Sequence, residues 1–421
     1  MSLHGCLSAV QDIYGRIHMS DCAVPTETAT LRTVFPAKKQ PLGEADTCAC
    51  VKYSLTPADP DATENTRELL RLLYDMTKRK SIMFGQQNAG HIGISIDRFD
   101  GTDSDVKRVC GKHPAVIGMD TLSFTGFEGT LVQAIEVTKQ LHRENVIVTL
   151  SMHAPNFVLC DDSFAGYSPD RTEPPAVGEI MPGGRYHAKY LRYLDLIADY
   201  AHAVTDDSGE SIPVIFRPFH ENNGGWFWWG AKYCTAYEYK ELFRYTIQYL
   251  QKDRQIHNFL YVYSPNGPFE DEADYLSRYP GDDFIDVIGF DMYHDRPTES
   301  DNWMDLLTVS CRQVCAIARD HTKVAAVTEA GIRMLDTAPD GLIYEGLSPR
   351  GNPRPNWFAE CLEAITGDPL ASETAYFLVW SNFSRKQFWT PYLTDEKHGH
   401  EMINEFTLFL NDPRVILGGQ K

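Results

Sequence analysis

Eight short apolar runs, spaced along the chain and separated by amphipathic stretches, set the strongest limit on the fold. They are Ser81–Phe84, Ala115–Met119, Val146–Leu150, Val214–Phe216, Phe259–Tyr263, Val287–Phe290, Val324–Val327 and Tyr376–Trp380. Each is rich in β-branched or aromatic residues and apolar on both faces, as strands covered on two sides must be. Between them apolar residues recur at helical spacing: Leu131, Ala134, Ile135, Thr138 and Leu141; Leu191, Leu194, Ile197, Ala198 and Ala201; Phe358, Cys361, Leu362 and Ile365. Alternating strands and helices need right-handed crossovers, and eight such units close into a (β/α)8 barrel of the α/β class. An open doubly wound sheet is the alternative, but it normally carries a Gly-rich phosphate loop, and neither a GxGxxG nor a Walker pattern occurs. Residues 1–55 lack periodicity and carry Pro25, Pro36 and Pro41. They read as an irregular N-terminal extension, with the barrel in residues 56–421.

The formal net charge of −19 repels phosphate backbones and anionic lipid. It argues against nucleic-acid binding and suits a neutral substrate. No apolar run reaches the ~18 residues of a membrane span, so no membrane insertion is expected. The first residues, MSLHGCLSAV, show no apolar signal core. The expectation is an intracellular protein or one whose export signal is missing from this sequence. The ten cysteines form no CxxC pair. Cys311 and Cys315, one helical turn apart, are expected as small buried apolar residues.

In a barrel, chemistry sits where the strands end. Those ends here are dense in His, Glu, Asp, Asn, Tyr and Trp. Glu221 closes the fourth strand and Glu329 the seventh, positions that face each other across a barrel mouth. Two opposed carboxylates, one protonated and one ionised, are the apparatus of glycoside hydrolysis. After Glu221 come Gly224, Gly225, four consecutive aromatics (Trp226, Phe227, Trp228, Trp229) and Gly230. Glycines let a loop approach a ligand, and flat indoles match the apolar faces of sugar rings. Trp226 and Trp229 are expected in the cleft, Phe227 and Trp228 in its wall or in the core. His153 and His220 raise the question of a metal, but HxH on the first strand and runs of Asp ligands are missing, so no metal is expected. His398-Gly399-His400 is expected at the surface. The long segment 154–184 and the segment from Glu329 through Asp336 and Tyr344 to Arg354 are expected to build the walls of the cleft.

The run Arg217-Pro218-Phe219-His220-Glu221-Asn222-Asn223-Gly224-Gly225-Trp226-Phe227-Trp228-Trp229-Gly230 resembles the acid/base signature of glycoside hydrolase family 26, most of whose members are β-1,4-mannanases. Thr328-Glu329-Ala330-Gly331 is similar to its nucleophile segment. Phe84–Gln87, Ser151–His153, Gly289–Tyr293 and Trp380-Ser381 add to the likeness, which covers about residues 63–410. The resemblance implies a retaining enzyme acting on β-mannan or manno-oligosaccharides and needing no metal; a monomer without cofactor is expected. It implies Glu221 as acid/base and Glu329 as nucleophile. His153, His220, Trp226 and Trp380 would line the sugar site and Tyr293 would hydrogen-bond the nucleophile. Arg217 and Asp291 would orient the pair from behind. Such a substrate suggests a secreted, periplasmic or surface-attached protein. A mixed-linkage β-glucanase or a β-1,3-xylanase of the same family remains open, as does a non-catalytic carbohydrate-binding barrel.

Overall fold

The computed structural model describes residues 55–159, 171–334, 336–337, 343–395 and 398–419. Each of the eight apolar runs lies in one strand, to within a residue at its ends: β1 (Ile82–Gln87), β2 (Val116–Asp120), β3 (Ile147–Met152), β4 (Val214–Pro218), β5 (Phe259–Tyr263), β6 (Val287–Asp295), β7 (Val324–Arg333) and β8 (Thr374–Val379). Each pairs in parallel with the next, and β8 pairs with β1, which closes the (β/α)8 barrel. The three expected helical patterns fall in helices Leu131–Arg143, His187–Ala203 and Trp357–Thr366. Strands β6 and β7 outrun their apolar runs because polar residues continue the ladder, ending on Asp295 opposite Arg333.

Strand parity sorts the core into two layers. Along β5, Phe259, Tyr261 and Tyr263 join the cluster between the sheet and the helices, while Leu260 and Val262 join a second cluster inside the barrel. That inner cluster gathers Met83, Ile215, Val287, Val324, Ala326, Tyr376 and Leu378 from the other strands. It also takes in Leu69, Leu70, Leu73 and Met76 from helix Glu64–Met76, which seals the end where the strands begin. The sequence reading did not single out this helix. Thr63 caps it, accepting from the Thr66 amide. Asp286 ties the same end together, accepting from the backbone amides of Ala58 at 2.6 Å and Tyr261 at 2.8 Å.

Residues 1–54 of the expected extension and residues 160–170 of the long third loop lie outside the described residues. Cys311 and Cys315 are buried free thiols, as their spacing suggested, and Cys110, Cys234 and Cys361 are free as well. One expectation needs correcting. His398 is exposed, but His400 is buried, donating from Nε2 to the Ser348 carbonyl at 2.8 Å. Among the described residues no helix is long and apolar enough to cross a membrane.

Leu73 is fully buried in the sealing helix, far from the strand ends. Leu73→Ala is expected to destabilise the fold by about 2–5 kcal/mol. Urea unfolding should show this as an earlier midpoint, with turnover at 25 °C unchanged.

Candidate active site

Parity also aims the polar residues. On β6, Val287 faces into the barrel, and Asp291 and Tyr293 share its face two and three repeats higher. On β4, Ile215 is followed on the same face by Arg217. The Arg217 guanidinium is buried and forks between two carboxylates. It donates to Asp291 Oδ2 at 2.7 Å and to Glu329 Oε2 at 2.5 Å, with Ser264 Oγ at 3.2 Å. The second oxygen of Glu329 accepts from the Tyr293 hydroxyl at 2.7 Å. Thr328 donates to Asp291 Oδ1 at 2.7 Å. Burial pushes the Asp291 carboxyl well up, with Arg217 pulling against it and the Glu329 and Glu221 charges adding to the rise. A ladder irregularity between Phe290 and Asp291 puts Asp291 opposite Glu329.

Glu221 stands on a bent strand end. Phe219 and Glu221 both have φ of 51°, in the left-handed region. Each such non-glycine residue costs on the order of 1–2 kcal/mol. The bend is held from both sides. The Phe219 ring is buried against Trp228, Trp229, Tyr239 and Phe243, and Tyr239 Oη donates to the Phe219 carbonyl at 3.0 Å. The Glu221 amide donates to the Ser264 carbonyl at 2.7 Å. Trp226 Nε1 donates to Glu221 Oε2 at 2.6 Å. The indole lies so close over Gly224 that a Cβ there would meet its ring at 2.5 Å. Burial, then the Glu329 charge, push the Glu221 carboxyl up to about 7, against the Trp226 hydrogen bond and the charges of Arg333 and Arg217.

The four aromatics divide differently from expectation. Trp226 is 37% exposed and stands beside Glu221. Trp229 is not in the cleft: it is 1% exposed, stacks on Phe227 with ring centres 4.4 Å apart, and donates to the His220 carbonyl at 2.8 Å. It is a strut for the bent strand end. Phe227 and Trp228 are buried, as anticipated, and Trp228 Nε1 donates to the Ala154 carbonyl at 3.0 Å. His153 meets His220 edge-on at 4.6 Å and Trp380 at 5.9 Å, and Trp380 clusters with Phe383, Trp389 and Tyr293. Apart from Trp229, the residues singled out in the sequence gather as one constellation at the strand ends.

Asp120, Ser264, Thr328 and Glu128 belong to that constellation without having been singled out as site residues. Asp120 Oδ2 accepts from His153 Nδ1 at 2.7 Å and from Ser151 Oγ at 2.5 Å. Burial opposes a charge on His153, but Asp120 outweighs it and raises its pKa. Burial takes His220 well below the usual histidine value, with Arg217 and His153 adding to the fall. Burial lifts Glu128 to about 8, Asp120 adding, while Asn88 Nδ2 donates to it at 3.0 Å. Asp120 could have been found as a polar strand end; Glu128 sits on an irregular loop and carries no pattern. The described ligand-type group Asp59, Asp61 and His257 lies elsewhere, just before β5 at the sealed end.

The sequence profile of glycosyl hydrolase family 26 matches residues 58–336. A mannan endo-1,4-β-mannosidase of Bifidobacterium adolescentis is 37% identical over 344 residues, 78% of this chain and 32% of that protein. The chain thus spans about a third of that relative's length. The catalytic domain of the Bacillus sp. JAMB-750 GH26 endo-β-1,4-mannanase superposes with a TM-score of 0.79 at 36% identity, covering 86% of this chain and 94% of that one. A modular endo-β-1,4-mannanase from Cellulomonas fimi superposes with a TM-score of 0.76 at 36% identity, covering 86% and 78%. With the matching profile covering well over half its length, the chain belongs to glycosyl hydrolase family 26.

Proposed function

We propose that this chain is a retaining glycoside hydrolase that cleaves β-1,4-mannosidic bonds in mannan-type polysaccharides, acting as a monomer. One observation carries the reading: Glu221, pushed up to about 7, stands within the field of Glu329, which is ion-paired to Arg217 and bonded by Tyr293. One carboxyl holds a proton to give, and the other has its negative charge supported by two donors.

In the first step Glu221 gives its proton to the glycosidic oxygen while a Glu329 oxygen attacks the anomeric carbon. The carbon–oxygen bond to the leaving sugar breaks and a glycosyl ester forms. In the second step Glu221, now a carboxylate, takes a proton from water. The resulting hydroxide attacks the same carbon, and Glu329 leaves with configuration retained. Arg217 and Tyr293 must release and regain the charge of Glu329 at each step, which suits fixed, buried donors. Asp291 holds Arg217 in place. His153, His220 and Trp380 line the site of the sugar that becomes attached, and Trp226, half exposed beside the acid, faces the leaving side. The mannan substrate is supported by the names of the relatives and by the acidic surface, which favours an uncharged polymer.

Released reducing ends on mannan, glucomannan, mixed-linkage β-glucan and β-1,3-xylan test the substrate. Cleavage of either of the last two with mannans untouched overturns it. Binding of mannan without hydrolysis of any polymer points instead to a carbohydrate-binding barrel.

Glu329→Ala is expected to abolish turnover on every substrate. Glu221→Ala should keep activity on an aryl glycoside with a good leaving group, and added azide should raise it, because such a group needs no proton. Equal hydrolysis of polymer by both variants and wild type would remove both role assignments.

The acid must enter protonated, so kcat/KM should fall as pH rises through about 7. Trp226→Phe removes an N–H that favours the charged form of Glu221, so this alkaline limb should move to higher pH. Trp226→Ala should also lose sugar contact, about 1–2 kcal/mol or roughly 5–30-fold in kcat/KM. Unaltered efficiency in Trp226→Ala places the indole outside the cleft.

A further inference from the structure

Arg333 ends β7, four residues beyond Glu329. Its Nε and one terminal nitrogen donate to the two oxygens of Asp295, at 2.6 and 2.9 Å, from directly across the β6–β7 ladder. A two-point fork of this kind fixes the guanidinium plane. The plane lies over the ring of Tyr293, with the guanidinium carbon 4.5 Å from the ring centre. Tyr293 is the residue whose hydroxyl reaches Glu329. Its backbone is held as well, since Trp303 Nε1 donates to the Tyr293 carbonyl at 3.0 Å. The ring is thus fixed at its root by Trp303, at its tip by Glu329, and across one face by a cation that the next strand supplies.

From this geometry we propose that Arg333, clamped by Asp295 over Tyr293, is a positioning residue for the hydrolytic reaction. It holds the tyrosine hydroxyl on the nucleophile and adds a fixed positive charge beside the acid. The proposal rests on the reading of Glu221 and Glu329 as the reacting pair and names a further residue that serves them. A cation–π contact supplies the holding force, and a shared face makes Arg333 and Tyr293 act as one unit.

The charged and titratable groups facing Glu221 are Arg217 from β4, Asp291 and Tyr293 from β6, and Glu329 and Arg333 from β7, with the Trp226 N–H from its own loop. Removing Arg333 removes one of the two positive charges in that set. The protonated form of Glu221 then persists to higher pH. Arg333 itself also faces Glu345, a buried carboxyl pushed up to about 7, whose partner is Gln387 at 3.2 Å.

The test is a variant set assayed for kcat and for the pH profile of kcat/KM on manno-oligosaccharide. Arg333→Met is expected to lower kcat roughly tenfold and to move the alkaline limb upward. Arg333→Lys keeps the charge, so its limb should stay with wild type while kcat falls part of the way. In a Tyr293→Phe background, Arg333→Met should change kcat by less than about twofold, because the hydroxyl it positions is gone. Glu345→Gln should leave the limb shift of Arg333→Met in place. Asp295→Asn loosens the same clamp from an exposed position and should lower kcat in the same Tyr293-dependent way, which keeps the test alive if Arg333→Met fails to fold. An alkaline limb unmoved in Arg333→Met, or a double variant whose losses multiply, overturns the proposal. If wild type is active, Glu329→Ala is inactive and the Arg333 variants match wild type, the clamp is wrong while the catalytic pair stands. Inactive wild type, or active Glu329→Ala, is the failure of the pair itself.

Discussion

Arg217 lies inside the barrel with almost no access to water, and its charge is taken up by Asp291 on one side and Glu329 on the other. Without that guanidinium, three carboxyls in one buried mouth would repel each other and bind protons. With it, the charge is distributed unevenly. Glu329 has Arg217 and Tyr293 as donors, Asp291 is tied behind by Thr328 and Ser264, and among the described residues the Glu221 carboxyl receives only the Trp226 N–H. The unequal donor supply puts Glu221 and Glu329 in unlike settings, which suits the roles proposed for them. Removing one member of such a buried set strands the others, so Arg217 is both structural and chemical.

The strained end of β4 shows how that difference is maintained. Two consecutive odd positions in the left-handed region would relax if they were left on a free loop. Here Phe219 is pinned by a nest of aromatics, and Trp229 closes over His220. The aromatic run after Glu221 therefore does two jobs. One indole is offered to the cleft, and the three rings that follow it hold the backbone in a shape it would not otherwise keep.

The barrel was legible because its strands are apolar on both faces and alternate with helical stretches, which leaves few alternatives. The strand-end residues were legible in part for the same reason: once the strands are placed, Arg217, Asp291 and Tyr293 fall on the inward parity, whereas Glu329 is out of step with the inward Val324 and Ala326 and is turned inward by the ladder irregularity beside Asp291. Trp229 was misplaced because spacing cannot tell an indole facing outward from one folded beneath its own loop. That distinction depends on the left-handed turn at Glu221, which no residue type announces. Glu128 was invisible because an irregular loop brings it next to Asn88, forty residues earlier in the chain. His400 was expected at the surface from its place far along the chain near the last helix, yet its ring finds the Ser348 carbonyl. The Arg333–Asp295 pairing follows from ladder register, a quantity set by the bulge beside Asp291 rather than by composition.

The leucines of helix Glu64–Met76 fill the barrel from below. The interior is therefore a blind well, not a tunnel. Under the proposed function, a sugar polymer could not be threaded through it and would have to approach over the rim, where the surrounding loops would meet it. Preferences for chain length or branching are then written on the rim, where residues can vary without disturbing the packed stem beneath.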